Sequence, residues 1–298
     1  MQRNHLTGVG WMILTGLCFV ATNGFVRGLG PALPAAEGAF LRFGIGLVFL
    51  APALAGQLRA GFPAQVWRLF LLRGGLHVCA VVLWFFAMAR ITVAEVTAIG
   101  FLNPIVVTAG AALFLGERLG WRRMLAIALA LAGALIVLRP GLRVLEPGHM
   151  AQVGASVFFG LSYIVAKRLS GLVPATAVVA MLSLTVGIGL APLAAAVWVP
   201  PTMGQLALLS GAALAGTVAH YCMTRAFAAA PLTVTQPVTF LQLIWASLLG
   251  VTIFGEPLDI WVIMGGGVMI AAITWITWRE ARLAPRPRPA LAPQPARP

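Results

Sequence analysis

One segment of this chain occurs twice. Residues 99–117, IGFLNPIVVTAGAALFLGE, align without a gap with residues 238–256, VTFLQLIWASLLGVTIFGE. In this alignment Phe101 falls on Phe240, Asn103 on Gln242 and Glu117 on Glu256. The register continues on both sides, and residues 9–17 find a counterpart at 153–161 with a slightly different offset. A repeat of this kind predicts that one structural unit was duplicated, so that the fold consists of two related halves.

The repeated unit is built from apolar runs of roughly 20 residues, the length that crosses a bilayer as a helix. A chain that is 60% hydrophobic and 9% charged cannot keep such a surface in water, so its solvent is lipid. Transmembrane strands would be shorter and would alternate in hydrophobicity, which these runs do not. We therefore predict an all-α membrane protein with ten transmembrane helices in two inverted five-helix repeats. The runs lie at roughly 8–28, 35–55, 66–89, 94–115, 121–138, 150–168, 174–197, 205–229, 233–254 and 260–278.

Prolines and glycines at residues 140–149 interrupt the apolar pattern and predict the connection between the halves. The first repeat then covers residues 1–139 and the second covers residues 150–278. Residues 279–298 are basic and rich in proline, which predicts a disordered cytoplasmic tail in contact with anionic lipid. The first run resembles a signal peptide, but the repeat pairs it with the sixth run, so we assign it to the fold.

The placement of the charges predicts the topology. The net charge is +13, and most arginines flank the runs on the side that is cytoplasmic if the N-terminus is cytoplasmic. The positive-inside rule therefore places both termini in the cytoplasm of a multi-pass inner-membrane protein. Five helices per repeat is an odd number, so the second half must enter the membrane from the opposite side. Inverted repeats are typical of transporters whose substrate site lies near the bilayer midplane between the halves.

Short motifs in the repeat resemble those of a known family. Each copy has an Asn-Pro or equivalent pair followed by a Gly-Glu ending: Asn103-Pro104 with Gly116-Glu117, and Gln242-Leu243 with Gly255-Glu256. The pattern is similar to that of the drug/metabolite transporter superfamily, specifically its EamA-type ten-helix exporters. The second copy departs from it, because Leu243 stands where the family often has proline. The resemblance implies export of small organic solutes, and aromatic and neutral amino acid exporters look closest.

Polar groups inside lipid tend to face a cavity or a partner helix, so each is a candidate for the substrate site. A proline inside a helix also frees a backbone carbonyl that can face a solute, and Pro104 and Pro237 mark two such breaks. For the two histidines an interhelical hydrogen bond is the simpler interpretation. We expect a cavity that holds an amino acid, lined by His77, Trp84, Phe101, Asn103, Tyr163, His220, Tyr221, Gln236, Phe240 and Gln242.

Other notable residues are expected to be structural. Glu37 and Arg42 are expected to form an ion pair or to snorkel, and Glu95 is expected to pair with Arg90. Glu117 and Glu256 each follow a glycine that can end a helix, and we expect them to stabilise the amides of the next helix. Small residues, including Ala126, Ala130, Gly133, Gly265, Gly266 and Gly267, are expected to let helices pack closely.

The leading interpretation is a secondary transporter that works by alternating access. The chain contains no HExxH or GxSxG motif and no paired intramembrane carboxylates, which argues against a membrane-embedded enzyme. A lipid or drug efflux protein without amino acid specificity remains an alternative. We expect no metal or other cofactor. We also expect no nucleic-acid partner, because the basic residues form no patch with interleaved aromatics. The expected partners are a small-molecule substrate and membrane lipid, with the protein a monomer or homodimer.

Overall fold

The computed structural model describes residues 5–103, 105–107, 121–139, 142, 144–230, 235, 238–239 and 241–283. These residues form helices and turns, without a strand. The helices, numbered in chain order, are α1 (His5–Leu29), α2 (Ala35–Ala60), α3 (Ala64–Met88), α4 (Val93–Gly100), α5 (Trp121–Leu138), α6 (Pro147–Leu169), α7 (Ala175–Ala196), α8 (Met203–Ala229), α9 (Leu241–Phe254) and α10 (Ile260–Leu283).

The helices overlap the predicted apolar runs, but α4 covers only the first part of the run at 94–115 and α9 only the later part of the run at 233–254. Within the described residues, six helices (α1, α2, α3, α6, α7 and α8) are long and apolar enough to span a membrane, and shorter apolar helices accompany them. Helix α10 continues to Leu283, so it includes the first residues of the predicted tail. Large apolar side chains such as Val48, Leu71 and Ile253 are more than half exposed on the outside of the bundle. This outer surface suits lipid, and the chain is an all-α, multi-pass membrane protein.

Several helix ends carry local signals that explain where they stop and start. Thr92 begins α4 with a capping box, in which its hydroxyl accepts from the Glu95 amide at 3.2 Å and Glu95 accepts from the Thr92 amide at 2.9 Å. Thr202 and Gln205 form the same arrangement at the start of α8. Gly255 follows the last residue of α9 with φ +62°, a left-handed conformation that suits glycine. Short polar caps of this kind satisfy helix-end amides that lipid cannot.

The contacts between helices reflect the repeat. If each helix is replaced by its equivalent in the other half (α1 by α6, α2 by α7, and so on), every one of the main contact pairs becomes another main contact pair or stays the same. The most extensive contacts are α1 with α8, α3 with α6, α5 with α10 and α2 with α7. The contact of α1 with α8 is equivalent to that of α6 with α3, because α1 corresponds to α6 and α8 to α3. The pairs α5 with α10 and α2 with α7 each join two equivalent helices. The weaker contacts α1 with α9 and α4 with α6 exchange in the same way. Two structurally equivalent halves that interlock produce this pattern.

Glycines let the halves approach closely at α5 and α10. A Cβ atom on Gly265 would lie 2.5 Å from the Gly133 carbonyl oxygen, and a Cβ on Gly133 would lie 2.7 Å from the Gly265 carbonyl oxygen. A Cβ on Gly266 would lie 2.5 Å from Leu243 Cδ2, whereas Gly267 faces open space. Close packing is therefore confirmed for Gly133, Gly265 and Gly266, but the expectation is wrong for Gly267. The side chains of Ala126 and Ala130 lie outside the described residues.

Candidate functional site

A cavity of about 960 Å³ lies in the middle of the bundle. Its wall is formed by residues of α1, α2, α3, α4, α6 and α8, together with Thr239 and Gln242 near the start of α9. Both halves therefore contribute to it. The volume is at the upper end of the roughly 300–1,000 Å³ typical of small-molecule sites.

Two histidines meet at the centre of the wall. The His77 and His220 rings lie 5.3 Å apart, centroid to centroid, on α3 and α8. His77 Nδ1 is 3.1 Å from the Ser162 hydroxyl on α6, so the predicted interhelical hydrogen bond is confirmed for His77. His220 Nδ1 is buried, and no described residue forms a hydrogen bond with it. Both rings line the cavity, so the hydrogen bond of His77 does not remove it from the site.

Aromatic rings cover much of the rest of the wall. Trp84, Phe101 and Phe19 line it from α3, the end of α4 and α1. On α6, the Phe159 and Tyr163 rings are stacked, with centroids 5.9 Å apart and planes inclined by 17°. Rings held in this way offer flat apolar surfaces against which a planar solute can stack.

Asn103 and Gln242 occupy equivalent positions in the two halves, as the repeat predicts, and both line the cavity. Each is close to a glycine on the first helix of the other half, Gly160 of α6 for Asn103 and Gly16 of α1 for Gln242. A Cβ on Gly160 would lie 3.0 Å from the Asn103 carbonyl oxygen, and a Cβ on Gly16 would lie 3.1 Å from Gln242 Cγ. Helix α4 ends at Gly100, before the predicted break. The Asn103 side-chain oxygen is buried and has no hydrogen-bond partner among the described residues.

The structure brings together seven of the predicted site residues: His77, Trp84, Phe101, Asn103, Tyr163, His220 and Gln242. Tyr221 is not among the residues that line the cavity. Its hydroxyl accepts a hydrogen bond from Arg225 at 3.0 Å, and its ring lies against Trp11. Successive helix residues point about 100° apart, so the position after the cavity-lining His220 faces elsewhere. Pro104, Gln236, Pro237 and Phe240 lie outside the described residues, as does Glu117.

Arg42 and Gln152 line the cavity and were missed by the sequence analysis. The predicted pairing of Arg42 with Glu37 is wrong. Glu37 is fully buried and accepts a hydrogen bond from the Val199 amide at 2.9 Å, while Arg42 lies over the Phe43 ring, 4.4 Å from its centroid. The signal that could have found Arg42 is its position well inside an apolar run, where a charge is costly.

Polar contacts close one end of the cavity, the end at which α3 stops and α4 starts. Arg27 Nε lies 2.8 Å from Glu256 Oε1, and Arg27 also donates to the Met88 carbonyl oxygen at 2.9 Å. Glu256 Oε2 accepts from the Val93 amide at 3.0 Å. Glu256 therefore stabilises the start of α4 and not, as expected, that of the helix after it. A carboxylate suits a helix N-terminus and a cation suits a C-terminus, so these contacts stabilise both helix ends.

A second contact at the same end joins α4 to α6. His149 Nε2 lies 3.3 Å from Glu95 Oε1, and both residues are buried. The expected pairing of Glu95 with Arg90 is wrong, because Arg90 donates to the Phe86 carbonyl oxygen at 3.0 Å and covers the Phe86 ring. At the other end, Leu72 and Arg168 line the cavity and are exposed. The exposed part of the described cavity wall therefore includes Leu72 and Arg168, at the end opposite to the Arg27 contacts.

The charged residues in the described cavity wall are basic. Arg42, Lys167 and Arg168 line it, whereas the lining residues that the structure describes include no aspartate or glutamate. The described residues also contain no group of three or more His, Cys, Asp or Glu placed to hold a metal ion. The site therefore offers hydrogen-bond donors, amides and ring faces. These groups are suited to binding a small-molecule solute.

Comparison with known proteins identifies the family. The model of the EamA-like transporter family matches residues 6–139 and, a second time, residues 146–278. A riboflavin transporter of Rhizobium johnstonii is 31% identical over 95% of this chain and 94% of its own length. An S-adenosylmethionine uptake transporter of Rickettsia bellii is 25% identical over 94% of this chain and 96% of its own.

The pseudopaline exporter CntI of Pseudomonas aeruginosa is 26% identical over 89% of this chain and 94% of its own length. A solved crystal structure superimposes with a TM-score of 0.64, at 18% identity, over 94% of this chain and 98% of that one. This likeness supports the fold alone. The relatives include both an importer and an exporter, and none of these three is named for an amino acid.

Proposed function

Since the chain belongs to the EamA-like transporter family, we propose that it carries a flat, ring-containing metabolite of the flavin class across the inner membrane. The observation that carries this proposal is the central cavity of about 960 Å³, with aromatic walls, amides, and basic side chains in place of acids. Small-molecule transport is common to the named relatives. The choice of substrate class is ours.

The lining favours a planar, acceptor-rich solute over a cationic one. Trp84, Phe159 and Tyr163 offer ring faces, and Arg42 and Gln242 offer N–H donors for ring carbonyl and nitrogen atoms. A cation such as S-adenosylmethionine would meet basic groups and no carboxylate among the described lining residues. Like charges in a site of low polarity repel strongly. The riboflavin relative is therefore a better guide to the substrate than the S-adenosylmethionine relative.

Amino acid export, expected from the sequence, stays a prediction with less support. The named relatives carry larger solutes, and the cavity is roomier than a single amino acid requires. The His77, Trp84 and Asn103 side chains would serve an aromatic amino acid as well as a flavin ring. Amino acids therefore belong in the same experiment as the competing class.

The mechanism we propose is alternating access between two inverted halves. The matching contact pairs and the double family match support two equivalent units. The Arg27–Glu256 ion pair at one end and the exposed, cavity-lining Arg168 at the other support a state that is closed at the Arg27 end and open at the Arg168 end. By the positive-inside rule the Arg168 end is cytoplasmic. Because the relatives work in both directions, we propose that the substrate gradient and any coupled ion set the direction.

Flux into and out of proteoliposomes tests the proposal. Riboflavin is followed by its fluorescence, and labelled phenylalanine, tryptophan and S-adenosylmethionine are followed in parallel, with and without a pH gradient. We expect protein-dependent flux of riboflavin that unlabelled riboflavin competes away. Protein-free vesicles are the control. Flux of the amino acids or S-adenosylmethionine without flux of riboflavin would contradict the proposed substrate class.

A further inference from the structure

The guanidinium of Arg42 is held rigidly at the edge of the cavity. Arg42 is 5% exposed, and its guanidinium lies 4.4 Å from the centroid of the Phe43 ring. On its other side it packs against Gly216 of α8, where a Cβ atom would overlap Arg42 Nη2. A planar donor fork fixed between a ring and a helix backbone has little freedom left to lose on binding.

Among the described residues, no carboxylate forms an ion pair with Arg42. Arg42 Nε is buried without a hydrogen-bond partner. Glu37, on the same helix, accepts from the Val199 amide, and no described ion pair joins it to Arg42. No acidic residue lines the cavity within the described part of its wall. The neighbouring titratable groups are Tyr163, His77 and His220.

A second buried arginine adds to the positive charge. Arg73 of α3 is 1% exposed, donates to the Val178 carbonyl oxygen at 2.9 Å, and keeps Nε and Nη2 without partners. Buried cations without partners are costly, at several kcal/mol each. An anion in the cavity would compensate the charge of Arg42, which lines it, whereas Arg73 is not among the described lining residues.

We propose that Arg42 binds an anionic oxygen group, a carboxylate or phosphate, on a flat aromatic substrate. The flat aromatic ring of the substrate is taken from the proposed function, on which this inference rests. The new element is the charge that the site prefers on that substrate. Guanidinium recognises carboxylate and phosphate through paired N–H donors, and charge-assisted bonds of this type are about twice as strong as neutral ones. An acidic or phosphorylated aromatic metabolite would therefore bind more tightly than a neutral one with the same ring system.

Three small probes with one ring system test the inference without any flavin. They are 2-naphthoate, 2-naphthyl phosphate and the neutral 2-naphthamide, and their binding to the full chain in lipid nanodiscs is measured by thermal stabilisation. We expect the better of the two anions to bind roughly tenfold or more tightly than the amide. The two anions distinguish a carboxylate site from a phosphate site.

Variants assign the preference to one side chain. Arg42→Gln is expected to abolish the preference for the anion, and Arg42→Lys to retain part of it. Arg225→Gln is the matched control, because Arg225 is exposed on α8 and donates to Tyr221 outside the cavity. Equal binding of anion and amide by the wild-type chain, no binding of any probe, or a preference that survives in Arg42→Gln would overturn the inference. The flux of riboflavin is a separate readout, so either proposal can fail while the other stands.

Discussion

At the scale of single residues, the cavity combines groups that the sequence pointed to with one that it did not. Trp84 and His77 are polar aromatics in an apolar run, and both line the cavity. Arg42 lines it as well, and Gly216 on another helix makes room for it. The position of the Arg42 guanidinium therefore depends on Gly216, a residue without a side chain.

Replacing Trp84 by alanine is expected to weaken binding of a ring-containing substrate by about two- to tenfold, because stacking contributes about 0.5–1.5 kcal/mol. Trp84 is 8% exposed and lines the cavity. Trp245→Ala is the control, since Trp245 is 40% exposed and does not line the cavity. Proteoliposome flux measured against substrate concentration checks this. Equal losses in the two variants would argue against a stacking role for Trp84.

Replacing Gly216 by alanine is expected to displace the Arg42 guanidinium and to lower flux by roughly tenfold, the effect of about 1.4 kcal/mol. The fold should persist, because the overlapping atom ends a flexible side chain and alanine favours a helix by about 1 kcal/mol. Gly10→Ala is the control, because a Cβ there meets nothing within 4 Å. Flux and thermal stability are measured on both variants. Unchanged flux in Gly216→Ala would contradict the importance of the Arg42 position.

At the scale of elements, two sets of contacts between helices have different roles. The Arg27 and Glu256 contacts join α1, α3, α4 and the residues after α9 at one end of the cavity. The glycines of α5 and α10 join those helices along their length. The first set is polar and local, so it can break and reform, whereas the second is a fixed packing contact.

Arg27→Gln is expected to shift the protein toward a state open at the Arg27 end. Arg27 is partly exposed, so we expect a shift of about 1 kcal/mol, or roughly fivefold in the population of that state. The readout is the rate at which an impermeant maleimide labels Thr97→Cys in a chain that lacks native cysteines. Arg90→Gln is the matched control at the same end, because Arg90 lies just after α3 and its described guanidinium contacts are with Phe86 of α3. An equal labelling rate in the two variants would show that the Arg27 contacts do not hold this end of the cavity closed.

Gly265→Val is expected to destabilise the protein by about 1–3 kcal/mol, because its Cβ would press on the backbone oxygen of Gly133 and no rotamer avoids that atom. Gly267→Val on the same helix is the control, since that position faces open space. Thermal unfolding in detergent compares the two. Similar stabilities would show that α5 and α10 do not need their close approach.

At the scale of the whole molecule, two equivalent halves surround one cavity. The exchange of contact pairs between α1–α5 and α6–α10 supports this arrangement. If the halves are also inverted, a rocking motion about the shared site can open one end as it closes the other. The Arg27 end and the Arg168 end would then alternate in reaching the cavity.

Inversion predicts that equivalent loops face opposite compartments. In a chain without native cysteines, Arg118→Cys is expected to be labelled from the cytoplasm and Pro257→Cys from outside. Intact cells and inside-out vesicles with an impermeant reagent give the two readouts. A cysteine at residue 3, on the N-terminal side of α1, serves as the cytoplasmic reference. Labelling of positions 118 and 257 from the same side would overturn the inverted arrangement.

The sequence alone determined that the chain crosses a membrane as helices, where most helices begin and end, and that one unit is repeated. These properties follow from local causes: apolar length, caps such as Thr92, and the absence of water in the bilayer. The sequence also pointed to most of the described cavity residues, because a polar or aromatic side chain in lipid needs a reason to be there.

Only the tertiary structure decided which side of each helix faces the cavity and which distant group each charge meets. Tyr221 is not among the described lining residues although its neighbour His220 is, Glu95 meets His149, and Glu256 stabilises the start of α4. Arg42 turns toward the cavity and away from Glu37. Each of these outcomes depends on the rotation of one helix against its neighbours. That rotation is set by packing between residues far apart in the chain, which local sequence patterns do not encode.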